Sequence, residues 1–523
     1  MSGLRLGPPT VGPPMTDSVR RPAATLRRVG GRPLPPGAEP DGAPAPGRRP
    51  ETVQHSAPPG PVEEVHAVVD DVEGTAGRDA APPSRRTLLR LAGLAGVAGG
   101  AAALAGCGEA VSQAAEGFRL RQDVADRPDD ELLVTVWGGP EEEAAFRALG
   151  DSFVAAHGGS VVWQVVPFSQ ALTTVDTGLR TGAAPDVFRV TYSDVGPYRA
   201  QDVLASLPAD VAARLAPQFG SSFWSAVTDD AASYGVPHHT DTTMVLVNDD
   251  ALAAAGVRPP EPTPEAAWTW DEALDAMRRV RDTAGPVRSA VAVNWQLAGA
   301  SRWLSWVGQA GGRLLREDLE GAVAADDPAL LAAMGVTRDL FREGLTPRSM
   351  STKSGQYTDG LFTSQQVAMA HVGNFTLPTV ETSFPWTATF LPVQERATAD
   401  LGGNALVATR GPREERALAF LEHCVGAEQQ ASFCAAASAL PTRGDVDVAD
   451  IPYRLLPEVL ALYAQQAEAV TTDVVDQVTV PQATGLNRVL VEQLEVAFLG
   501  GDELSDARAC EDLVAAVDAE LAR

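Results

Sequence analysis

The sequence predicts an α/β fold. Strand-type runs alternate with segments of helical periodicity, and glycine and proline punctuate the joints. One stretch, Gly235 to Asn248, runs from a polar cluster straight into a β-branched strand. The alternation implies a largely parallel sheet whose ligands gather beyond the carboxyl ends of its strands. At 523 residues with 45% hydrophobic content, the chain can hold two or more domains with real cores.

In chain order, residues 1–83 hold 17 of the 40 prolines and little periodicity. They cannot bury enough apolar surface to offset the entropy of ordering, so a disordered leader is expected. Ser84-Arg85-Arg86-Thr87 then opens an apolar run that closes on Leu104-Ala105-Gly106-Cys107. A charged region, an apolar region and small residues before a cut describe an export signal over 84–106. Arg85 and Arg86 resemble the pair of a Tat signal, and the last four residues resemble a lipobox, in which Cys107 becomes the lipid-bearing N-terminus. The apolar run is shorter than the ~20 residues a spanning helix needs. Export signals ordinarily begin near their charged region, and no Met lies between Met15 and Met244, so translation is expected to start downstream of Met1 at a non-Met codon. Residues 107–130 read as a polar tether.

Charge is distributed unevenly. Residues 1–106 carry 12 arginines against 10 carboxylates, which leaves 29 basic and 58 acidic residues beyond them. That balance argues against a nucleic-acid partner, which needs a basic face. None of Cys107, Cys424, Cys434 and Cys510 stands in a zinc-like spacing. Cys424 and Cys434 flank a turn at Gly426 and are open to two readings, a bridge or buried free thiols.

Leu132 to Trp137 is a strand ended by Gly138-Gly139-Pro140. Pro140 followed by Glu141, Glu142 and Glu143 suits a helix N-terminus, because proline lacks a donor that would be orphaned there and carboxylates favour the positive dipole end. Phe146, Leu149 and Phe153 follow at helical spacing. Val161 to Val166 is the next strand, Leu172, Val175 and Leu179 mark a helix stopped by Gly182, and Pro185 to Val190 gives a third strand. The strand ends then hold Trp137, Tyr192, Ser193, Asp194 and the His238 to Asp241 cluster, which together suggest a polar, aromatic-lined cleft.

The ordered motifs LLVTVWGGPEEEAAFRALGDSFVAAH, RTGAAPDVFRVTYSDVGPY, YGVPHHTDTTMVLVNDDAL, WVGQAGGRL, QQVAMAHVGNF, LGGNALVATR, AFLEHCVGAEQQASF and ALPTR carry a family resemblance. Over about residues 131–445 the chain resembles the sugar-type extracellular solute-binding proteins of ABC importers, the group related to maltose-binding protein. The resemblance implies a two-lobed periplasmic-binding-protein-like fold of type II, with a ligand cleft between lobes. Lobe one would comprise 131–243 and 396–445, and lobe two 244–395 and 446–523. Thr242 to Val247 would be the first crossing and Leu401 to Ala408 would lie on the return. It further implies reversible capture of a sugar or small glycoside without catalysis or cofactor. The partners would be ABC permease subunits and the membrane, through a lipid anchor on an exported monomer.

In the second lobe, Thr269 and Glu272 fit a capping box ahead of Leu274, Met277 and Val280. Trp295, Trp303 and Trp306 are core candidates, with Trp303 the preferred ligand contact because family members place an aromatic or polar residue before the helix that ends in Ala310-Gly311-Gly312. Phe375 stands where the family commonly has a sugar-stacking Trp, so the apolar face is kept and the indole donor lost.

A sugar needs carboxylates or amides for its hydroxyls and flat aromatics for its C–H faces. By the resemblance Asp241 stands where family members place an acidic residue that accepts sugar hydroxyls, and Asp194 and Asn404 could do the same; Ser193 and Asn374 are further candidate contacts, and Trp137, Tyr192, Trp303 and Phe375 could supply faces. Gly403 would let backbone approach closely, His239 could donate or accept, and Arg443 could bridge to a carboxylate or ligand. Two alternatives stand beside this reading. His238, His239, Asp241 and Tyr192 could hold a metal, although adjacent histidines on an extended segment point to opposite faces. Asp194 and Asp241 could be the carboxylate pair of a secreted glycoside hydrolase.

Overall fold

A computed structural model describes residues 127–229, 232–283, 285, 287–296 and 299–523. The leader, the export signal with Arg85 and Arg86, Cys107 and nearly all of the tether lie outside the described residues. Among the described residues no helix is long and apolar enough to cross a membrane.

Among the described residues nine strands build two sheets: β1 Glu131–Val136, β2 Ser160–Val165, β3 Val187–Thr191, β4 Val236–His239, β5 Thr243–Asn248, β6 Ser289–Ala292, β7 Val367–Gly373, β8 Trp386–Thr389 and β9 Asn404–Ala408. The first sheet has the order β2-β1-β3-β9-β4 and the second β6-β7-β5-β8. The expected parallel character holds for β2, β1 and β3, whereas β9 runs antiparallel between β3 and β4. The reason is topological, since β9 returns from the second sheet after a long excursion and enters the first from the cleft side. The second sheet is also mixed, with β6 and β7 parallel and β5 antiparallel to both its neighbours.

Local chemistry explains the elements. Helix Pro140–His157 starts with Pro140 in its first turn beside three glutamates, and buries Phe146, Leu149 and Phe153. Gly182, at φ 73°, ends helix Phe168–Thr181 in the left-handed conformation. The Thr269 hydroxyl accepts from Glu272 N at 3.2 Å while the Glu272 carboxylate accepts from Thr269 N at 2.9 Å, the reciprocal box that opens helix Trp270–Asp282. β5 and β7 are buried along their whole length, as strands covered on both faces must be.

The chain passes between sheets at Thr240–Thr242 and again between Phe390 and Gly403. The crossing is therefore three residues long, and Thr243 to Val247 already belongs to the second sheet. Cys424, Cys434 and Cys510 are buried free thiols, so the unbridged alternative describes the structure.

Candidate functional site

The register brings one set of strand ends together. Asn404 at the start of β9 pairs with Thr191 at the end of β3 on one side and with His239 at the end of β4 on the other. Trp137 follows directly on β1. On the second sheet, Thr243 opens β5 opposite Gly373, which closes β7. Asp241 lies in the short segment between these two edges.

Asp241 is held by backbone and amide. Its carbonyl accepts from Gly402 N at 3.2 Å, and its Oδ1 accepts from Asn374 Nδ2 at 3.0 Å. Asn374 is fully buried, and its Oδ1 accepts from Thr242 N at 2.9 Å, so one side chain holds two consecutive residues of the crossing. Gly403 sits at φ 91°, and a Cβ there would lie 2.4 Å from the His239 carbonyl oxygen and 2.5 Å from Thr240 Cα. Only glycine lets the returning strand lie this close to the outgoing one. Burial pushes the Asp241 carboxyl up to about 6, against the pull of Arg189 and with Glu142 adding to the rise.

Behind Asp241 stands a hub that the sequence reading missed. Arg189, in the middle of β3, is buried, donates to the Trp137 carbonyl at 2.5 Å and to His239 Nε2 at 3.1 Å, and pairs with Glu142 at 2.9 Å. Its guanidinium also lies 4.6 Å from the Trp137 ring centroid. Arginine cannot accept, so His239 Nε2 is the acceptor and its proton sits on Nδ1. That proton is directed to His238 Nδ1 at 3.0 Å. Burial first, and the Arg189 charge second, push His238 down to about 3 and His239 well below the usual imidazole range. Both rings are neutral wherever the protein is folded near pH 7.

The two imidazoles meet although adjacent strand residues ordinarily face apart. The ladder to β9 shifts register between Pro237 and His239, and the resulting bulge turns one ring toward the other. Three of the four ring nitrogens are engaged, with each other or with Arg189 and Asn404, while His238 Nε2 is buried without a hydrogen-bond partner. Among the described residues no group of three or more His, Cys, Asp or Glu side chains is arranged to hold a metal ion.

Several of the expected contacts are engaged with partners inside the protein. Trp303 is fully buried, with its indole N–H on the Thr337 hydroxyl at 3.1 Å, because its helix Trp303–Gln309 is enclosed on all sides. Tyr192 is buried and donates to the His239 carbonyl at 3.0 Å. His239 lies behind the cleft wall with 1% exposure. Arg443 is engaged twice with Asp445, at 2.8 and 2.7 Å, and once with the Val425 carbonyl at 2.9 Å, so it is a turn brace instead of a bridge to ligand. Asp194 accepts from Thr191 and from Thr484, and Ser193 bonds Thr191, which ties the end of β3 to helix Ala483–Leu499. Asn404 Nδ2 lies 3.0 Å from His239 Nε2.

What faces outward is aromatic. Phe168 is 49% exposed and packs at 5.3 Å against Trp137, which is itself only 9% exposed. Phe375 packs edge-on against Tyr357 at 5.6 Å, with 40% and 39% exposure. Burial chiefly pushes the Tyr357 hydroxyl upward, and the Phe375 ring lies over Gly373, where a Cβ would come within 2.3 Å of it, at the end of β7 next to the crossing. Phe168 and Tyr357 were not expected from sequence. An arginine inside the otherwise apolar strand VFRVT was the signal for Arg189, whereas Tyr357 stands in a polar loop with no periodicity to mark it.

The family model described as bacterial extracellular solute-binding protein matches residues 138–431. An uncharacterized lipoprotein in the oleD 5′ region of Streptomyces antibioticus is 32% identical over 148 residues, which is 28% of this chain and 31% of that protein. The chain thus matches under a third of the length of this curated relative. Among solved structures, the cyclic alpha-maltosyl-1,6-maltose binding protein of Arthrobacter globiformis is similar with a TM-score of 0.62 at 20% identity, over 75% of this chain and 98% of that one. The GacH receptor of Streptomyces glaucescens GLA.O, solved unliganded and with acarbose, gives 0.60 at 20% over 75% and 98%. A solute-binding protein of Thermotoga lettingae TMO bound with alpha-D-tagatose gives 0.61 at 23% over 75% and 99%. At these identities the likeness establishes the two-lobed fold.

Proposed function

The chain belongs to the bacterial extracellular solute-binding proteins, and from that premise we propose that it captures a sugar or small glycoside between its lobes and delivers it to an ABC importer. The observation that carries the reading is Asp241, a clamped carboxylate at the crossing, with Trp137 and Phe168 on the lobe-one edge and Phe375 and Tyr357 on the lobe-two edge. A carboxylate accepts from hydroxyls, and aromatic faces cover the C–H surface of a pyranose, so the two chemistries meet the two faces of one ligand. Lobe closure then removes the ligand from water and makes both walls contribute.

In this reading the protein performs no catalysis and acts as a monomer. It is exported through the twin-arginine signal at Arg85 and Arg86, and it is anchored to the outer face of the cytoplasmic membrane by lipid on Cys107. The permease subunits of the importer are its partners. Titration calorimetry against a panel of mono- and oligosaccharides tests the capture step. A saturable heat with one ligand, weakened at least tenfold by Asp241→Ala, is expected, where tenfold corresponds to about 1.4 kcal/mol. Unchanged affinity in that variant would place the site elsewhere. Membrane fractionation of Cys107→Ser tests the anchor, with release of the protein from the membrane fraction expected.

A further inference from the structure

We propose that Arg302 is the donor the crossing offers to the captured solute, set against the acceptor Asp241, and that the two read hydroxyls of a neutral sugar; this rests on the sugar-capture reading above. A closed ring of contacts puts Arg302 at the crossing. The Asp241 carbonyl accepts from Gly402 N at 3.2 Å, and Asp400, two residues before Gly402, accepts on Oδ2 from Arg302 Nε at 3.2 Å. Arg302 Nη1 donates to the Asn294 carbonyl at 3.0 Å, and Asn294 Nδ2 donates at 2.9 Å to the hydroxyl of Thr243, two residues after Asp241. Each two-residue step spans at most about 7 Å, so the guanidinium is tied to both crossing segments.

The supply of donors singles Arg302 out. An ionised carboxylate only accepts, whereas a sugar hydroxyl both donates and accepts, so a closed cleft with acceptors alone would strand hydroxyl lone pairs. The donors expected from sequence are engaged inside the protein. The Asn374 amide is on Asp241, the Asn404 amide on His239, the Trp303 indole on Thr337, and the Arg443 guanidinium on Asp445 and the Val425 carbonyl. Arginine carries five N–H groups. Arg302 gives one to Asp400 and one to Asn294, and the others meet no acceptor among the described residues, on a side chain that keeps 24% exposure. Its charge is already matched by the buried Asp400, so the pair presents N–H groups without asking for an ionic solute. Gly299 lets the guanidinium lie against the backbone, since a Cβ there would come within 1.8 Å of Nη1.

The test is titration calorimetry of the full-length protein at pH 7 with glucose, galactose, maltose, cellobiose and trehalose, each beside its monodeoxy analogues, and with glucuronate beside glucose. A sugar that binds is expected to lose on the order of tenfold in affinity in Arg302→Gln, and the loss caused by removing one particular hydroxyl from that sugar is expected to vanish in the same variant. Gly299→Ala keeps the arginine but displaces its guanidinium, and is expected to weaken the same sugar while melting as a folded protein. An arginine that only braces the crossing would lower affinity for a sugar and all its deoxy analogues by one factor. That result, or unchanged affinity in both variants, overturns the assignment and leaves sugar capture intact. Tighter binding of glucuronate than of glucose overturns the neutral pairing of Arg302 with Asp400. Heat from none of these sugars overturns the capture reading itself.

Discussion

The two walls of the cleft use opposite strategies. Lobe one places its polarity behind the surface, where Arg189 links Glu142, His239 and the Trp137 carbonyl in a buried network. Lobe two places its tryptophans in the core and leaves Tyr357 and Phe375 half exposed with little polar engagement. One wall holds geometry and field in place before ligand arrives, and the other offers adaptable apolar area. Asp241 belongs to neither, since its neighbours His239 and Thr243 lie in different sheets.

The contrast is tested most strongly at the hub. Arg189→Met removes the cation but keeps much of its volume, leaving the Trp137 carbonyl and Glu142 without their donor and His239 Nε2 with the Asn404 amide alone. We expect a loss of ~3 kcal/mol, read as a lower urea midpoint with unchanged slope. A loss under about 0.5 kcal/mol, the range of ordinary surface substitutions, would show that the network is not what stiffens lobe one.

Gly403→Ala comes next. The left-handed φ of 91° and the backbone atoms within 2.5 Å of the new Cβ both oppose it, and ~2 kcal/mol is expected. Gly182→Ala is the control, because that residue has φ 73° with nothing within 4 Å of its Cβ and should lose only ~1 kcal/mol. Equal losses would remove the close approach of the return segment from the explanation.

Much of the fold was legible because it rests on local chemistry. The capping box at Thr269, the proline-led helix at Pro140 and the buried runs of β5 and β7 each announce themselves within a few residues. The antiparallel β9 was not, since strand direction is decided by the path the chain takes between sheets. Asp241, Asn374 and Gly403 were legible as site candidates and are brought together by direct contact. Trp303 was not separable from a cleft residue, because an aromatic at a helix start carries no mark of which side of the helix meets solvent. Tyr357 was missed for the complementary reason, as its exposure depends on how its loop packs against Phe375.

A smaller effect of reversed sign is expected at the crossing itself. Asp241 titrates near 3.8 when unfolded and is raised to about 6 when folded. Between those values the unfolded chain has released a proton that the folded protein keeps, so its contribution falls as pH rises through that window and stays low above it. Asp241→Asn should therefore stabilise the unliganded protein at pH 7 by ~1–2 kcal/mol, with the gain shrinking toward pH 4. The same variant should lose ligand affinity, and wild-type affinity should rise as pH increases through about 6. Thermal melts across pH without ligand read the first effect, and a variant melting at or below wild type at pH 7 would mean that Asp241 is better solvated than its position implies.

The smallest stability effects should fall on the lobe-two wall, and there they divide core from cleft. Phe375→Ala and Tyr357→Ala remove half-exposed rings, so folding should change by no more than about 0.5 kcal/mol, while affinity for the ligand should drop by ~1 kcal/mol each. Trp303→Phe should do the reverse. It forfeits the bond to Thr337 and part of a filled volume, at ~1 kcal/mol of stability, with affinity unchanged. If Trp303→Phe weakened binding while Phe375→Ala did not, the aromatic face that meets the solute would be the one inside lobe two. Capture would then require the lobe to open around helix Trp303–Gln309 before the cleft could close.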